Sequence, residues 1–366
     1  MRPLASPPAL FDRDWVNHAI GVIETDFNRS ADTHLLRVDL AGSPEVRLYL
    51  KDESTHPSGS LKHRLARSLF LYGLCNGQIG PASVIVEASS GSTAVSEAYF
   101  ARMLDLRFVA VMPRSTTAEK LGQIAFYGGE THFVDDPADI YAQSARLAAD
   151  LGGHYMDQFT FAERATDWRG NNNIAESIFR QMSREPHPIP AWIVVGAGTG
   201  GTSATLGRYV RYRQLDTRIC LADPEASVFH RHWNDRSVLS VEGPPSLIEG
   251  VGRGRCVPSF IPTLIDQAIS VPDAGSIAAA RVFSRRIGRS CGGSTGTNLC
   301  AAAQLILRMR ERGEAGSVVT LLCDSGERYR STLFADDWLG RCGLNVGVRE
   351  AAIEAFFDGE LDVWRD

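Results

Sequence analysis

The chain has 366 residues and a formal net charge of −5 at pH 7, with 44% apolar and 22% charged residues. This length suits one large or two moderate domains, and the acidic balance excludes the basic footprint of a nucleic-acid-binding protein. The N-terminal stretch has no uninterrupted apolar run of the signal-peptide type, and no segment is apolar for long enough to span a bilayer. We therefore expect a cytoplasmic globular protein without a membrane partner.

The seven cysteines are scattered, with no CxxC pair, no HExxH motif and no tight Cys/His cluster. Such spacing does not predict a disulfide framework or a zinc site. We expect no bound metal, a reducing compartment, and thiols that serve mainly as small core residues.

Short apolar runs alternate with longer amphipathic ones, which predicts parallel α/β units. The predicted strands are 83–88, 107–113, 131–135, 191–198, 217–223 and 316–324, and helices are predicted at 93–104, from about residue 115, and over 136–152. In the last of these helices Asp136 is the expected N-cap, Pro137 the first helical residue and Gly152 the stop. The proline-rich stretch 183–192 is the best boundary between two halves.

Lys62 stands where the turn-rich stretch "HPSGS" runs into the amphipathic, basic segment "KHRLARSLF". A solvated lysine is the commoner explanation for such a residue, because lysines are seldom buried. The alternative is an amine held in place for Schiff-base chemistry. The position alone leaves both interpretations open.

A hydroxyl-rich loop follows the strand predicted over 83–88. Ser89, Ser90, Gly91, Ser92 and Thr93 put hydroxyl and N–H groups at the start of a helix, where an anion such as a carboxylate is favoured. An ordinary capped helix has the same composition, since Ser and Thr are preferred N-caps. This loop too is ambiguous when taken alone.

The sequence "VVGAGTGGTS" follows another predicted strand and opens a helix. Gly198, Gly200 and Gly201 let a phosphate approach the backbone N–H groups, and Thr199 and Thr202 add hydroxyl donors. We therefore predict a phosphate site in this loop.

The same loop also fits a dinucleotide-binding fingerprint. Gly196, Gly198 and Gly201 satisfy G-x-G-x-x-G, and Asp223 ends the next predicted strand. A nicotinamide-dependent oxidoreductase is therefore an alternative. However, a dinucleotide would leave Lys62 without a role.

A third helix start of this kind is "GGSTG", which contains Ser294 and Thr295. A phosphate-bearing aldehyde held by Lys62 would use all of these loops together. That combination favours a cofactor aldehyde over a dinucleotide.

From about residue 30 to about 335, the order of these motifs resembles the pyridoxal-phosphate enzymes of the cysteine synthase/cystathionine β-synthase family. The stretches that carry the resemblance are "SGSLKHR", "SSGST", "DQF" (157–159), "GTGGT", "IEGVGRG", "GGSTG" and "DSGERYRST". The resemblance implies a two-domain α/β protein of fold type II, tryptophan synthase β-like, in which each domain is a largely parallel sheet flanked by helices.

The resemblance also implies roles for individual residues. Lys62 becomes the Schiff-base lysine, and Ser294, chosen over Thr295, meets the pyridine nitrogen. The cofactor phosphate is bound by Gly198, Thr199, Gly200, Gly201 and Thr202, and Ser92 faces the ring hydroxyl. The substrate carboxylate is bound by Ser89, Ser90, Gly91 and Thr93, with Gln158 lining the site.

Three departures from the family pattern matter. Ser92 replaces the usual asparagine, His34 stands in "ADTHLL" where Thr-Pro-Leu is usual, and "TFAERATDWRGNNNIAESI" (160–178) replaces the usual pattern after Gln158. Together with "GSLKHRLARSLF" and "EASSGSTAVSEAYF", much of this last segment is similar to bacterial L-cysteine desulfhydrases of this fold.

The resemblance thus implies β-elimination on L-cysteine, giving sulfide, pyruvate and ammonia. β-Replacement of the cysteine synthase or cystathionine β-synthase type stays an alternative, since both reactions share their first steps. A non-catalytic relative is disfavoured because Lys62 is intact. The implied domains are 45–185, then 1–44 with 186–340, followed by a peripheral tail over 341–366, and the implied assembly is a homodimer.

Overall fold

The computed structural model describes residues 12–30, 32–42 and 44–360. The strands are β1 His34–Val38, β2 Val46–Asp52, β3 Val84–Ala88, β4 Arg107–Pro113, β5 Glu130–Val134, β6 His154–Tyr155, β7 Trp192–Gly196, β8 Arg218–Pro224, β9 Gln267–Val271 and β10 Gly316–Leu322. The helices are α1 Arg13–Asn28, α2 Lys62–Cys75, α3 Ser92–Met103, α4 Ala118–Phe126, α5 Ile140–Asp150, α6 Gln158–Ala165, α7 Ile174–Met182, α8 Gly201–Tyr212, α9 Val228–Asn234, α10 Asp273–Ile287, α11 Gly293–Glu311, α12 Asp336–Arg341 and α13 Gly347–Phe357. Among the helices described, none is long and apolar enough to cross a membrane.

The predicted elements are present, with boundaries shifted by a few residues. The strand expected over 107–113 coincides with β4, and the helix expected over 93–104 is α3. The helix expected over 136–152 begins as a 3-10 turn, in which the Asp136 side chain accepts a hydrogen bond from the Ala138 N–H.

The described chain divides into two compact units. The first combines the described part of Met1–Ala31 with Lys62–Phe161, and the second combines the described parts of Asp32–Leu61 and Ala162–Asp366.

This division differs from the predicted domains in three described segments, 12–30, 45–61 and 162–185, each of which falls in the other unit. Helix α1 belongs to the first unit, where Glu24 forms a 2.7 Å ion pair with Arg67 on α2. Strand β2 belongs to the second unit because it pairs in parallel with β10. The parts of the predicted segments at 1–11, 31, 43 and 361–366 lie outside the described residues.

In the first unit the strands lie in the order β5-β4-β3-β6, and every pairing is parallel. Helix α3 leaves the carboxyl end of β3 and packs against α2. The ring of His63 lies 5.2 Å from that of Tyr99 and 4.8 Å from that of Phe100, measured between centroids. This packing fixes the first turn of α2, where Lys62 lies, against the helix that begins at the hydroxyl-rich loop.

In the second unit the strand order is β1-β2-β10-β7-β8-β9, with β1 antiparallel to β2 and the other neighbours parallel. Parallel strands bring their carboxyl ends to one edge of the sheet, and ligands of open α/β sheets bind outside that edge. The loops after β2, β10 and β7 therefore gather where a ligand is expected.

Helix α13 departs from the predicted peripheral tail. Its residues Ile353, Phe356 and Phe357 are buried in the same apolar cluster as Phe283 of α10. Their i, i+3, i+4 spacing puts them on one face of the helix. The tail thus completes the core of the second unit.

Candidate active site

Lys62 is the first residue of α2 and is partly exposed. The residue before it is held by the second unit, because the Leu61 N–H donates to the Cys323 carbonyl at 2.8 Å. Ser60 also forms a bridge with Asp324. Leu61, which belongs to the second unit, is therefore fixed to the loop after β10.

Lysine is scarce in this chain, which narrows the choice of a Schiff-base residue. The sequence contains three lysines, Lys51, Lys62 and Lys120. Lys51 on β2 is fully buried, and its Nζ donates to the Thr33 carbonyl and to Gln181 Oε1 at 2.7 Å each. It also lies 3.6 Å from Asp32 Oδ1. An amine held in this way is a structural ion-pair partner, so Lys62 and Lys120 remain as candidates, and of these two Lys62 stands in "SGSLKHR", a stretch that carries the family resemblance.

The hydroxyl-rich loop adopts the predicted strand–loop–helix form. The Gly91 N–H donates to Ser89 Oγ at 3.2 Å, and Gly91 is the N-cap of α3 without a side-chain cap. Ser89, Ser90, Gly91 and Ser92 are partly exposed, whereas Thr93 is 3% exposed.

Gln158 is brought to this loop within the first unit. Thr93 Oγ1 donates to Gln158 Oε1 at 2.8 Å, and Gln158 is 3% exposed. The start of α6 is thus tied to the start of α3.

Two buried carboxyl groups lie beneath the same loop. Glu87 on β3 accepts hydrogen bonds from the Ala88 N–H at 2.6 Å and from the Gln158 N–H at 3.1 Å. Burial raises the pKa of Glu87 to about 8, and burial together with Glu87 raises the pKa of Glu97 well above its usual range. No sequence motif points to either residue, although a glutamate inside the apolar runs "VIVEA" and "AVSEAYF" is a signal in the sequence.

The predicted phosphate loop occupies the N-terminus of α8 in the second unit. Gly200 has φ +87°, and a Cβ there would lie 2.6 Å from the Phe260 Cα. A Cβ at Gly198 would lie 2.4 Å from the Gly250 carbonyl oxygen. These two positions therefore require glycine, and the Gly250 contact puts the "IEGVGRG" segment beside the loop.

The threonines of this loop differ in exposure. Thr199 is 4% exposed, its carbonyl accepts from Ser259 Oγ at 2.5 Å, and its hydroxyl accepts from the Gly201 N–H at 3.3 Å. Thr202 is partly exposed in the first turn of α8. The loop is hydrogen-bonded, glycine-lined and located at the positive end of a helix dipole, which suits a phosphate.

Ser294 and Thr295 lie in the first turn of α11. Thr295 Oγ1 accepts from the Cys323 N–H at 3.0 Å and is fully buried, while Ser294 is 5% exposed. The threonine hydroxyl is therefore engaged with the backbone, and Ser294 is the better candidate to meet a ligand.

Asp223 does not have the geometry that a dinucleotide site needs. It is fully buried, and its Oδ2 accepts from the His230 N–H at 2.8 Å, within the first turn of α9. Its carboxylate therefore stabilises a helix start and is not presented to a ribose.

The unusual segment 160–178 has a structural explanation. Asn171 and Asn172 adopt positive φ, and Asn173 caps α7 by accepting from the N–H groups of Ala175 and Glu176. Upstream, Arg208 on α8 donates to the Glu163 carbonyl at 2.5 Å and also pairs with the Glu163 carboxylate. The segment thus braces the helix whose N-terminus forms the phosphate loop. His34, the other departure noted, begins β1 and is exposed.

Comparisons with known proteins place the chain among pyridoxal-phosphate dependent enzymes. A family model described as pyridoxal-phosphate dependent enzyme matches residues 29–324. The L-cysteine desulfhydrase Cds1 of Mycobacterium tuberculosis strain H37Ra is 57% identical over 348 residues, which cover 94% of this chain and 95% of the relative. A putative cysteine synthase of Sinorhizobium fredii is 29% identical over 343 residues, covering 90% and 94% respectively.

Solved structures support the fold. The crystal structure of an O-ureido-L-serine synthase superposes with a TM-score of 0.73 at 25% identity, covering 84% of this chain and 96% of that one. The predicted resemblance and the predicted fold class are therefore confirmed.

Proposed function

Because this chain belongs to the family of pyridoxal-phosphate dependent enzymes, we propose that it is an L-cysteine desulfhydrase. It eliminates sulfide from L-cysteine and leaves pyruvate and ammonia. Its cofactor is pyridoxal phosphate. The observation that carries the choice of reaction is 57% identity, over almost the whole chain, to a relative named for that activity.

The residues of the second unit fit the cofactor's phosphate. The cradle of Gly198, Gly200 and Gly201 is closed to a Cβ by neighbouring atoms, and α8 directs its positive end at the loop. Thr199 and Thr202 supply the hydroxyl groups of this site. Ser294, whose hydroxyl is neutral, would hold the pyridine nitrogen without adding a negative charge.

Lys62 has two tasks in this proposal. Its amine would hold the cofactor's aldehyde, and the same amine, when free, would act as the general base for the Cα proton. The pinned Leu61 and the packing of His63 fix the backbone on both sides of this lysine. That rigidity keeps the amine within reach of one proton.

The substrate's α-carboxylate needs an anion site of its own. The α-carboxylate is bound by Ser89, Ser90, Gly91 and Thr93 at the start of α3, with Gln158 bonded to Thr93 behind them. Holding the carboxylate orients the Cα–H bond toward a base.

The elimination involves no net oxidation or reduction, so it needs no oxidant. Lys62 takes the Cα proton, a double bond forms between Cα and Cβ, and the Cβ–S bond breaks with its electron pair on sulfur. When bound, pyridoxal phosphate supplies the electron sink that makes the Cα proton removable. One water molecule then completes the hydrolysis to pyruvate and ammonia.

β-Replacement is the second candidate, because relatives at lower identity include a putative cysteine synthase and an O-ureido-L-serine synthase. Both reactions lose the β-substituent in the same way. They differ in whether water or a second nucleophile captures the product of that loss.

The three lysines allow a direct test of the assignment. Borohydride reduction of the cofactor-loaded protein should fix the cofactor to the peptide that contains Lys62. Lys62→Ala should lower sulfide release from L-cysteine by about a thousandfold, and Lys120→Ala, the matched control, should leave it unchanged. A label on Lys120, or an undiminished sulfide yield from Lys62→Ala, would contradict the assignment.

We also propose that the protein is a cytoplasmic homodimer. The family resemblance supports the dimer, and the seven cysteines, all in described residues and all free, suit a reducing compartment. The molar mass measured by light scattering tests the dimer.

A further inference from the structure

A pair of glutamates, Glu87 and Glu97, lies fully buried beneath the loop that we assign to the substrate carboxylate. Glu87 occupies β3, two residues before Ser89. Glu97 occupies α3, one helical turn after Thr93. Two facing carboxyl groups in an apolar interior are unfavourable as a pair of charges, so their retention at this place calls for an explanation.

Glu87 is bonded to both segments that form the loop. One carboxyl oxygen accepts from the Ala88 N–H at 2.6 Å, which fixes the end of β3. The other accepts from the Gln158 N–H at 3.1 Å, which fixes the start of α6. The Gln158 side chain then accepts from the Thr93 hydroxyl at 2.8 Å. A continuous chain of hydrogen bonds thus runs from Glu87 to the first turn of α3.

Glu97 has the position to hold Glu87. Both of its carboxyl oxygens are buried without a hydrogen-bond partner, and the side chain that, besides burial, raises its pKa is Glu87. A proton on Glu97 therefore has one acceptor, the Glu87 carboxyl. Such a bond would restrict the rotation of the Glu87 side chain. It would also leave the pair with one negative charge fewer near the loop that binds an anion.

Charge explains why the shared proton matters. A doubly ionised pair directly under the loop would repel an incoming carboxylate in a low dielectric. Asp157 lies near Glu87 and Tyr155 on β6 lies near both glutamates, and neither is a cation that could offset them. Since these neighbours carry no positive charge, a proton held between the glutamates is what reduces the negative charge of the pair.

We propose that Glu97 is a positioning residue for substrate binding: by donating its proton to Glu87, it holds Gln158 and Thr93 in the geometry that receives the α-carboxylate. This inference rests on the proposed function for the identity of the anion. It assigns to Glu97 no contact with the substrate.

The test separates carboxylate binding from catalysis. Glu97→Gln keeps a donor to Glu87, whereas Glu97→Leu removes it at similar volume. Both are loaded with cofactor and titrated with L-alanine, which has no leaving group on Cβ, and with L-alaninamide, which has no carboxylate. The change in the cofactor's visible absorbance gives each Kd, and kcat and KM are measured with L-cysteine.

We expect Glu97→Leu to raise the Kd of L-alanine by at least about tenfold, the effect of leaving a buried acceptor unpaired. The Kd of L-alaninamide should stay within about twofold, and Glu97→Gln should behave as the wild type. For L-cysteine, KM should rise more than kcat falls. If the wild type binds L-alanine but releases no sulfide, the proposed reaction fails while the positioning role is still tested.

The proposal is overturned if Glu97→Leu binds L-alanine as tightly as the wild type, if both ligands weaken equally, or if Glu97→Gln is as impaired as Glu97→Leu. Should Glu97→Leu fail to fold, the double variant Glu87→Gln/Glu97→Leu leaves no unpaired charge. Its side-chain amide has one acceptor oxygen for two backbone N–H groups, so L-alanine binding should still weaken selectively, and wild-type binding would again overturn the proposal.

Discussion

Ser92 is the residue of the predicted cofactor set that departs most clearly from the family. It is the first residue of α3 and is partly exposed at the mouth of the hydroxyl-rich loop. The usual asparagine carries a longer amide, which reaches further from the helix start. We infer that the shorter hydroxyl at this position influences which nucleophile captures the product of β-elimination.

Ser92→Asn tests that inference. In the presence of L-cysteine and a second thiol, the variant should give less pyruvate per sulfide and more replacement product than the wild type, because the longer amide restores the side chain usual in the β-replacement enzymes of the family. Ser92→Thr, which keeps the hydroxyl, is the control. Equal product ratios in all three proteins would show that the departure has no effect on the outcome.

At the scale of single residues, the sequence predicts those features that depend on neighbouring residues in the chain. Gly198 and Gly200 were predicted from the loop composition, and close contacts with Gly250 and Phe260 explain why both must be glycine. Glu97 could not be assigned a role from the sequence, because its partner Glu87 is ten positions away on a different element. Pairing between a strand and a helix is a tertiary property.

The segment 160–178 illustrates the scale of whole elements. Its asparagines form the turn and the cap that begin α7, and Glu163 bonds to Arg208 on α8. Its unusual sequence reflects this scaffold. In the sequence this segment serves only as a family marker. The structure explains its residues by the turn, the cap and the Arg208 contact that they form.

A second consequence at this scale concerns pH. Burial raises the pKa of Glu87 from its usual 4.5 to about 8, and that of Glu97 well above its usual range. The folded protein therefore binds more protons than the unfolded chain between about pH 5 and pH 8, so the free energy of unfolding should fall as the pH rises across that range. Asp157, whose negative charge also raises the pKa of Glu87, works in the same direction.

Urea unfolding of the wild type and of Glu97→Gln, measured at several pH values, checks this expectation. The variant has lost one of the two titrating groups, so its stability should decline less steeply with pH. Identical slopes would mean that the pair does not keep its proton in the folded state.

At the scale of the whole molecule, the burial of α13 depends on contacts with residues that are distant in the sequence. The sequence predicts a peripheral tail over 341–366, the segment that contains this helix. Its burial depends on α10, which lies some seventy residues earlier in the chain, and on ion pairs such as Arg281 with Glu350 at 2.7 Å. The domain boundaries differ for a similar reason, since β2 joins the second unit by pairing with β10.

Phe356→Ala should therefore destabilise the protein by about 3 kcal/mol or more, through loss of a large buried side chain and the cavity it leaves. Val348 on the same helix is 78% exposed, and Val348→Ala should change the free energy of unfolding by less than about 0.5 kcal/mol. Denaturant midpoints of the two variants test this, and equal midpoints would support a peripheral helix instead.

The central claim is that the protein eliminates sulfide from L-cysteine without a second substrate. The most direct measurement is to incubate the cofactor-loaded protein with L-cysteine alone and to quantify sulfide, pyruvate and ammonia together. The account predicts release of all three in equal amounts. Sulfide without pyruvate, formed only when another thiol or amino acid is added, would contradict it and identify a β-replacement enzyme.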